Sequence, residues 1–191
     1  MKNSFLLFGL VTILIIACDG PYINCPDHYF SEEFKSYTIF NDGSYWIYKD
    51  TINKITDSIC LMSGEMKFKQ DCDYHGDPQE ILNQSFYSSF FSPGEIYIFC
   101  HAEFPVYYDY SWLGYYRDDL KIGESMDFTY EAKFDSLQIN GTFYKEVILF
   151  SKDNDFKYYW AKSIGLVKKV FPYPEKSDTV YDFEIVNYKI N

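Results

Sequence analysis

Three histidines, His28, His75 and His101, and an abundance of acids are the side chains from which catalysis would have to be assembled. Their spacing organises none. The sequence holds no Gly-x-Ser-x-Gly nucleophile elbow, no His-Glu-x-x-His pair and no glycine-rich phosphate loop. Asp71-Cys72-Asp73-Tyr74-His75-Gly76-Asp77 gathers oxygen ligands around a glycine, but lacks the 1, 3, 5, 6, 12 spacing of an EF-hand and reads as a solvated acidic turn. Cys25, Cys60, Cys72 and Cys100 match no Cys-x-x-Cys zinc pattern, even with His75 and His101 nearby. A two-carboxylate glycosidase needs only a pair of acids, and nothing here selects a pair. The expectation is a chain without catalytic residues, bound metal or cofactor.

The other chemistry on offer is aromatic. The segment from Val106 to Asp119 contains Tyr107, Tyr108, Tyr110, Trp112, Tyr115 and Tyr116 beside Asp109, Asp118 and Asp119. Exposed, such rings would stack on the faces of sugars while the acids accept hydroxyl hydrogen bonds, or would anchor a protein interface. The structural reading of the same residues is a strand and turn with half-buried rings. If this chain has a binding surface, these six residues are its first candidates.

Address and anchoring come from the amino terminus. Lys2 precedes an almost unbroken apolar run, Phe5 to Ile16, that ends at Ile15-Ile16-Ala17-Cys18. A basic start, a short apolar core and a small residue before the cut describe a secretory signal peptide, here residues 1–17, too short to span a bilayer comfortably. The last four residues resemble a bacterial lipobox, which implies cleavage before Cys18 and a diacylglycerol on its sulfur. Two or three acyl chains make such an anchor stable where one would not. The net charge of −11, with only Lys2 in the removed segment, disfavours nucleic acid and anionic head groups as partners. The four remaining cysteines of an exported chain suggest two disulfides, of three possible connectivities. Cys60 with Cys72 closes the shortest loop and leaves Cys25 with Cys100.

Residues 18–36 are polar, with Pro21, Pro26 and Ser31-Glu32-Glu33, and read as a lipidated tether. Beyond them, 20 Tyr and 18 Phe suit pleated surfaces better than helices. Expected strands are Tyr37 to Phe40, Ser44 to Lys49, Ser58 to Met62, Glu65 to Gln70, Glu95 to His101 and Ser125 to Phe134. Phe143 to Ser151, Phe156 to Ala161, Gly165 to Phe171 and Thr179 to Ile190 follow. Asn41-Asp42-Gly43, Ser63-Gly64, Asn140-Gly141 and Asp153-Asn154-Asp155 supply the turns. Pro78 to Phe86 is the one expected helix. The fold class is therefore mainly β: a single antiparallel β-rich domain over residues 37–191, a sandwich or partly open barrel with little helix.

Phe40-Asn41-Asp42-Gly43-Ser44-Tyr45-Trp46-Ile47-Tyr48, Tyr158-Tyr159-Trp160-Ala161-Lys162-Ser163-Ile164-Gly165-Leu166-Val167-Lys168 and the final Asn187-Tyr188-Lys189 resemble uncharacterised small envelope lipoproteins of the Bacteroidota type. Members show a glycine where this chain has Ser163. The resemblance implies a cell-envelope β-rich domain and transfers no activity. From the residues themselves, Trp46 and Tyr48 share one strand face, and Gly165 marks a bend where a ring covers backbone. The tripeptide Asp, Ser or Thr, aliphatic recurs at Thr51, Ser58, Ser136 and Thr179 and resembles the O-glycosylation acceptor of such envelope proteins, although strand starts favour the same pattern. The combined expectation is a lipid-anchored envelope module, non-catalytic, that presents an aromatic surface to a glycan or envelope protein, with the outer membrane favoured over the inner. A half-barrel carrier of lipid or another hydrophobic ligand is the alternative, and a polysaccharide hydrolase the third.

Overall fold

The computed structural model describes residues 25–70, 77–90, 95–102, 105–108, 114–153, 155–172 and 180–191. Among the described residues one short helix, α1 (Glu32–Thr38), precedes eleven strands. They are β1 (Tyr45–Asp50), β2 (Thr56–Lys69), β3 (Gln79–Ser88), β4 (Glu95–His101), β5 (Val106–Tyr108), β6 (Tyr115–Arg117), β7 (Thr129–Ile139), β8 (Thr142–Lys152), β9 (Phe156–Ala161), β10 (Gly165–Pro172) and β11 (Val180–Lys189). Nine form one antiparallel sheet in the order β4-β3-β2-β1-β11-β10-β9-β8-β7, and β5 with β6 makes a separate ribbon.

The sheet curls. Glu33 and Lys35, two residues apart on α1, pair with Lys133 of β7 at 2.7 Å and Glu80 of β3 at 3.3 Å. In a flat sheet β3 and β7 would lie seven strand spacings apart, roughly 34 Å, whereas a helix of this length spans only about 10 Å. The strands must wrap around α1 as a partly open barrel, with β4 and β7 as its unjoined edges. Ser31 caps the helix by accepting from the Phe34 amide at 2.8 Å. Phe34 and Tyr37 turn inward and pack against Tyr116 of the β5–β6 ribbon. Trp160 donates its indole N–H to the Tyr115 carbonyl at 2.7 Å, fixing the ribbon against β9.

Several expectations need correction. Tyr37 and Thr38, the start of the expected strand Tyr37 to Phe40, are the end of α1, and the tether boundary at residue 36 runs through that helix. The segment expected to be a helix, Pro78 to Phe86, lies mostly in β3, paired on both sides by β2 and β4. Ser63-Gly64 is no turn: β2 runs straight through it with a register shift between Leu61 and Ser63.

The segments around Trp46 and around Gly165 touch one another. Trp46 donates to the Ile164 carbonyl at 2.6 Å, and Tyr48 to the Leu166 carbonyl at 2.7 Å. Gly165 adopts φ +93, and a Cβ there would sit 3.0 Å from the Phe40 ring. These residues pack the barrel by joining β1 to the start of β10.

Candidate functional site

The described rings of the candidate aromatic segment lie inside. Tyr107, Tyr115 and Tyr116 are all buried. Tyr116 touches Phe34, Tyr37, Phe150 and Trp160, and Tyr115 stacks on Phe128 at 4.4 Å. The curl of the sheet is the cause: it encloses the β5–β6 ribbon, so rings that a flat sheet would expose become the filling. This corrects the expectation for those three residues. Tyr110 and Trp112 lie outside the described residues, and Tyr108 is described only by its backbone pairing with Tyr115.

The same filling bears on carriage of a hydrophobic ligand. The apolar void among Trp46, Tyr48, Phe86, Tyr107, Trp160 and Leu166 is about 30 Å³. Pockets for small organic ligands start at roughly 300 Å³.

Aromatic surface is found instead on the outer side of β2, β3 and β4. In β4 the even positions Ile96, Ile98 and Cys100 face the core, which turns Tyr97 and Phe99 outward, 70% and 57% exposed. Tyr87 of β3 joins them at 43%. The register sets three rows across the strands: Lys67, Ile81 and His101; Glu65, Asn83 and Phe99; Ser63, Ser85 and Tyr97. Two rings about 7 Å apart along one strand thus flank an amide, two hydroxyls and a carboxylate. The cleft they line has a volume of about 340 Å³. His101 meets the edge of Phe99 at 4.5 Å, and Glu65 pairs with Lys67 at 2.7 Å. Such a face offers flat apolar platforms beside donors and acceptors, the combination that holds a ligand with one apolar and one polar side. The sequence signal was the alternation from Glu95 to Cys100. It defines two faces, and both are apolar enough to be the buried one.

The cysteines depart from both expected bridges. Cys60 and Cys100 carry free thiols. Cys100 faces the core opposite Leu82, whereas Cys60 alternates with the inward Ile59 and Leu61, so it lies on the outer side. Burial pushes the Cys100 thiol up to about 12. Cys25 is disulfide-bonded; Cys18 and Cys72 lie outside the described residues.

Of the four Asp-Ser/Thr sites, Thr51 is exposed in the β1–β2 turn and Ser136 is exposed on the edge strand β7. Ser58 is half-buried within β2, and Thr179 lies outside the described residues. Two of the aspartates have structural tasks. Asp50 accepts from the amides of Ile52, Asn53 and Asp182, and Asp57 is fully buried against Lys169.

Among the described residues no helix is long and apolar enough to cross a membrane. Compared with protein-family models, curated proteins and solved structures, the chain matches none.

Proposed function

We propose that this chain is a lipid-anchored envelope protein, held to a bacterial membrane through Cys18, whose domain binds a glycan on the outer face of β2, β3 and β4. The observation that carries the reading is the pair Tyr97 and Phe99, exposed side by side on β4 and bordered by Asn83, Ser85, Ser63 and Glu65. A sugar ring stacks its C–H face on an aromatic plane and spends its hydroxyls on amide, hydroxyl and carboxylate partners. Hydrolysis would call for a second acid facing Glu65; the other side chains named in the cleft are amide, hydroxyl and aromatic. Recognition is therefore the better fit.

The test is a glycan array probed with the acylated protein in nanodiscs, followed by titration of the best glycan. Tyr97→Ala and Phe99→Ala should each weaken binding about tenfold, close to 1.4 kcal/mol. Unchanged affinity in both variants would remove the site from this face. An array without hits, with an envelope protein captured through Tyr97 and Phe99, would replace the glycan with a protein partner.

A further inference from the structure

We infer that the end of the barrel bearing Tyr29, Met66 and Phe68 rests on the membrane surface to which the chain is tethered. The inference depends on the Cys18 anchor of the proposed function.

Tyr29 and Phe68 stack with their ring centres 5.2 Å apart and 18° between planes, yet both remain open to solvent, 59% and 37% exposed. Met66, two residues before Phe68 on the same side of β2, is 44% exposed. The patch is held rigidly to the barrel. His28 donates its amide to the Pro78 carbonyl at 2.8 Å and accepts from the Glu80 amide at 3.0 Å, which docks the segment around Tyr29 onto the start of β3. Glu80 in turn lies opposite Phe68 in the β2–β3 register.

Chain length selects the occupant. Cys25 lies four residues before Tyr29, and six residues, 19–24, separate it from Cys18. Fully extended, that stretch reaches about 25 Å. A domain of this size is roughly 40 Å across. An acyl anchor on Cys18 therefore keeps the end near Cys25 against the bilayer and holds the opposite end away from it. Polar groups bordering the rings have partners within the protein: Lys67 pairs with Glu65 at 2.7 Å, His28 hydrogen-bonds Asp77 at 3.2 Å, and the Tyr29 hydroxyl donates to Asp27 at 3.5 Å. Contact then comes from rings and the thioether entering the head-group layer, where tyrosine with its apolar body and polar tip is favoured. The matching surface is zwitterionic. The β2–β3 connection at this end lies outside the described residues.

This seating also orients the glycan face. From Glu80, level with Phe68, to Ser85, level with Tyr97, β3 climbs five residues, about 17 Å. The cleft would stand clear of the head groups and open sideways.

Depth-dependent quenching tests the inference. The acylated full chain carrying Phe68→Trp or Ile52→Trp is placed in phosphatidylcholine vesicles with brominated acyl chains, and the emission added over the parent protein is measured. Ile52 lies in the turn preceding β2, at the other end of that strand from Phe68, and is itself exposed. The expected result is loss of emission at residue 68 and none at 52. Equal quenching at both positions, or none at either while the protein floats with the vesicles, overturns the seating and leaves the anchor standing. Protein that fails to float with vesicles overturns the anchor, and the seating with it.

Discussion

Lys169 on β10 places its ammonium 2.9 Å from a carboxylate oxygen of Asp57 on β2, and neither side chain has any exposed surface. The other Asp57 oxygen accepts from the Ser88 hydroxyl at 2.9 Å, and the ammonium lies 4.9 Å from the centre of the Tyr48 ring. The pair spans the sheet across β1 and β11, the strands that join the two halves of the chain.

Removing one partner strands a buried charge. Asp57→Ala should destabilise the domain by about 3 to 5 kcal/mol in urea or guanidinium unfolding. The double variant Asp57→Leu with Lys169→Met should recover most of that loss, because two apolar side chains of similar bulk leave no uncompensated charge. A single-site cost under about 1 kcal/mol would mean that water reaches Lys169.

The turn before β10 offers two substitutions with opposite signs. Ser163 sits at φ +62, where a Cβ is unfavourable, and its amide still donates to the Ser36 carbonyl at 2.7 Å. Ser163→Gly keeps that bond and should stabilise the fold by about 1 kcal/mol. Gly165→Ala should destabilise it by at least about 1 kcal/mol, since φ is +93 and the new methyl would press on the Phe40 ring. Thermal melts of the two variants check the signs, and a destabilised Ser163→Gly would show that the serine hydroxyl holds a contact worth more than the backbone relief.

Much of this architecture was legible in the alternation of side chains. β9 has the expected ends, and Trp46 and Tyr48 share a face as their spacing requires. What failed was decided by distant contacts. Tyr37-Thr38-Ile39-Phe40 has strand composition, but a Ser31 cap and a core waiting for Phe34 and Tyr37 make its start the end of a helix. Gln79-Glu80-Ile81-Leu82 contains good helix formers, and pairing on both sides overrides them. The candidate surface was misplaced for the same reason. Whether Tyr116 or Tyr97 meets solvent depends on how far nine strands curl, and no local pattern near either residue encodes that.

Curling has a further consequence at alkaline pH. Tyr37, Tyr48 and Tyr116 are enclosed, and burial holds their phenols well above the ordinary value, with Glu33 and Glu146 adding to the effect at Tyr37 and Asp57 at Tyr48. In the unfolded chain the same phenols ionise near pH 10. Above that pH the unfolded state binds fewer protons than the folded one, so stability falls as pH rises, by up to about 1.4 kcal/mol per pH unit for each tyrosine. The urea midpoint should be flat with respect to these groups below about pH 9.5 and drop steeply beyond it, with the share of phenolate absorbance that belongs to the enclosed rings appearing only on unfolding. Tyr116→Phe should make the drop shallower at little cost at pH 7, because its buried hydroxyl finds no hydrogen-bond partner among the described residues. Tyr37→Phe should also make it shallower but cost about 1 kcal/mol at pH 7, since its hydroxyl donates to the Glu146 carbonyl at 2.7 Å. A urea midpoint unchanged up to about pH 10.5 would mean that these rings are open to solvent and that the barrel is less tightly curled around α1 than its ion pairs require.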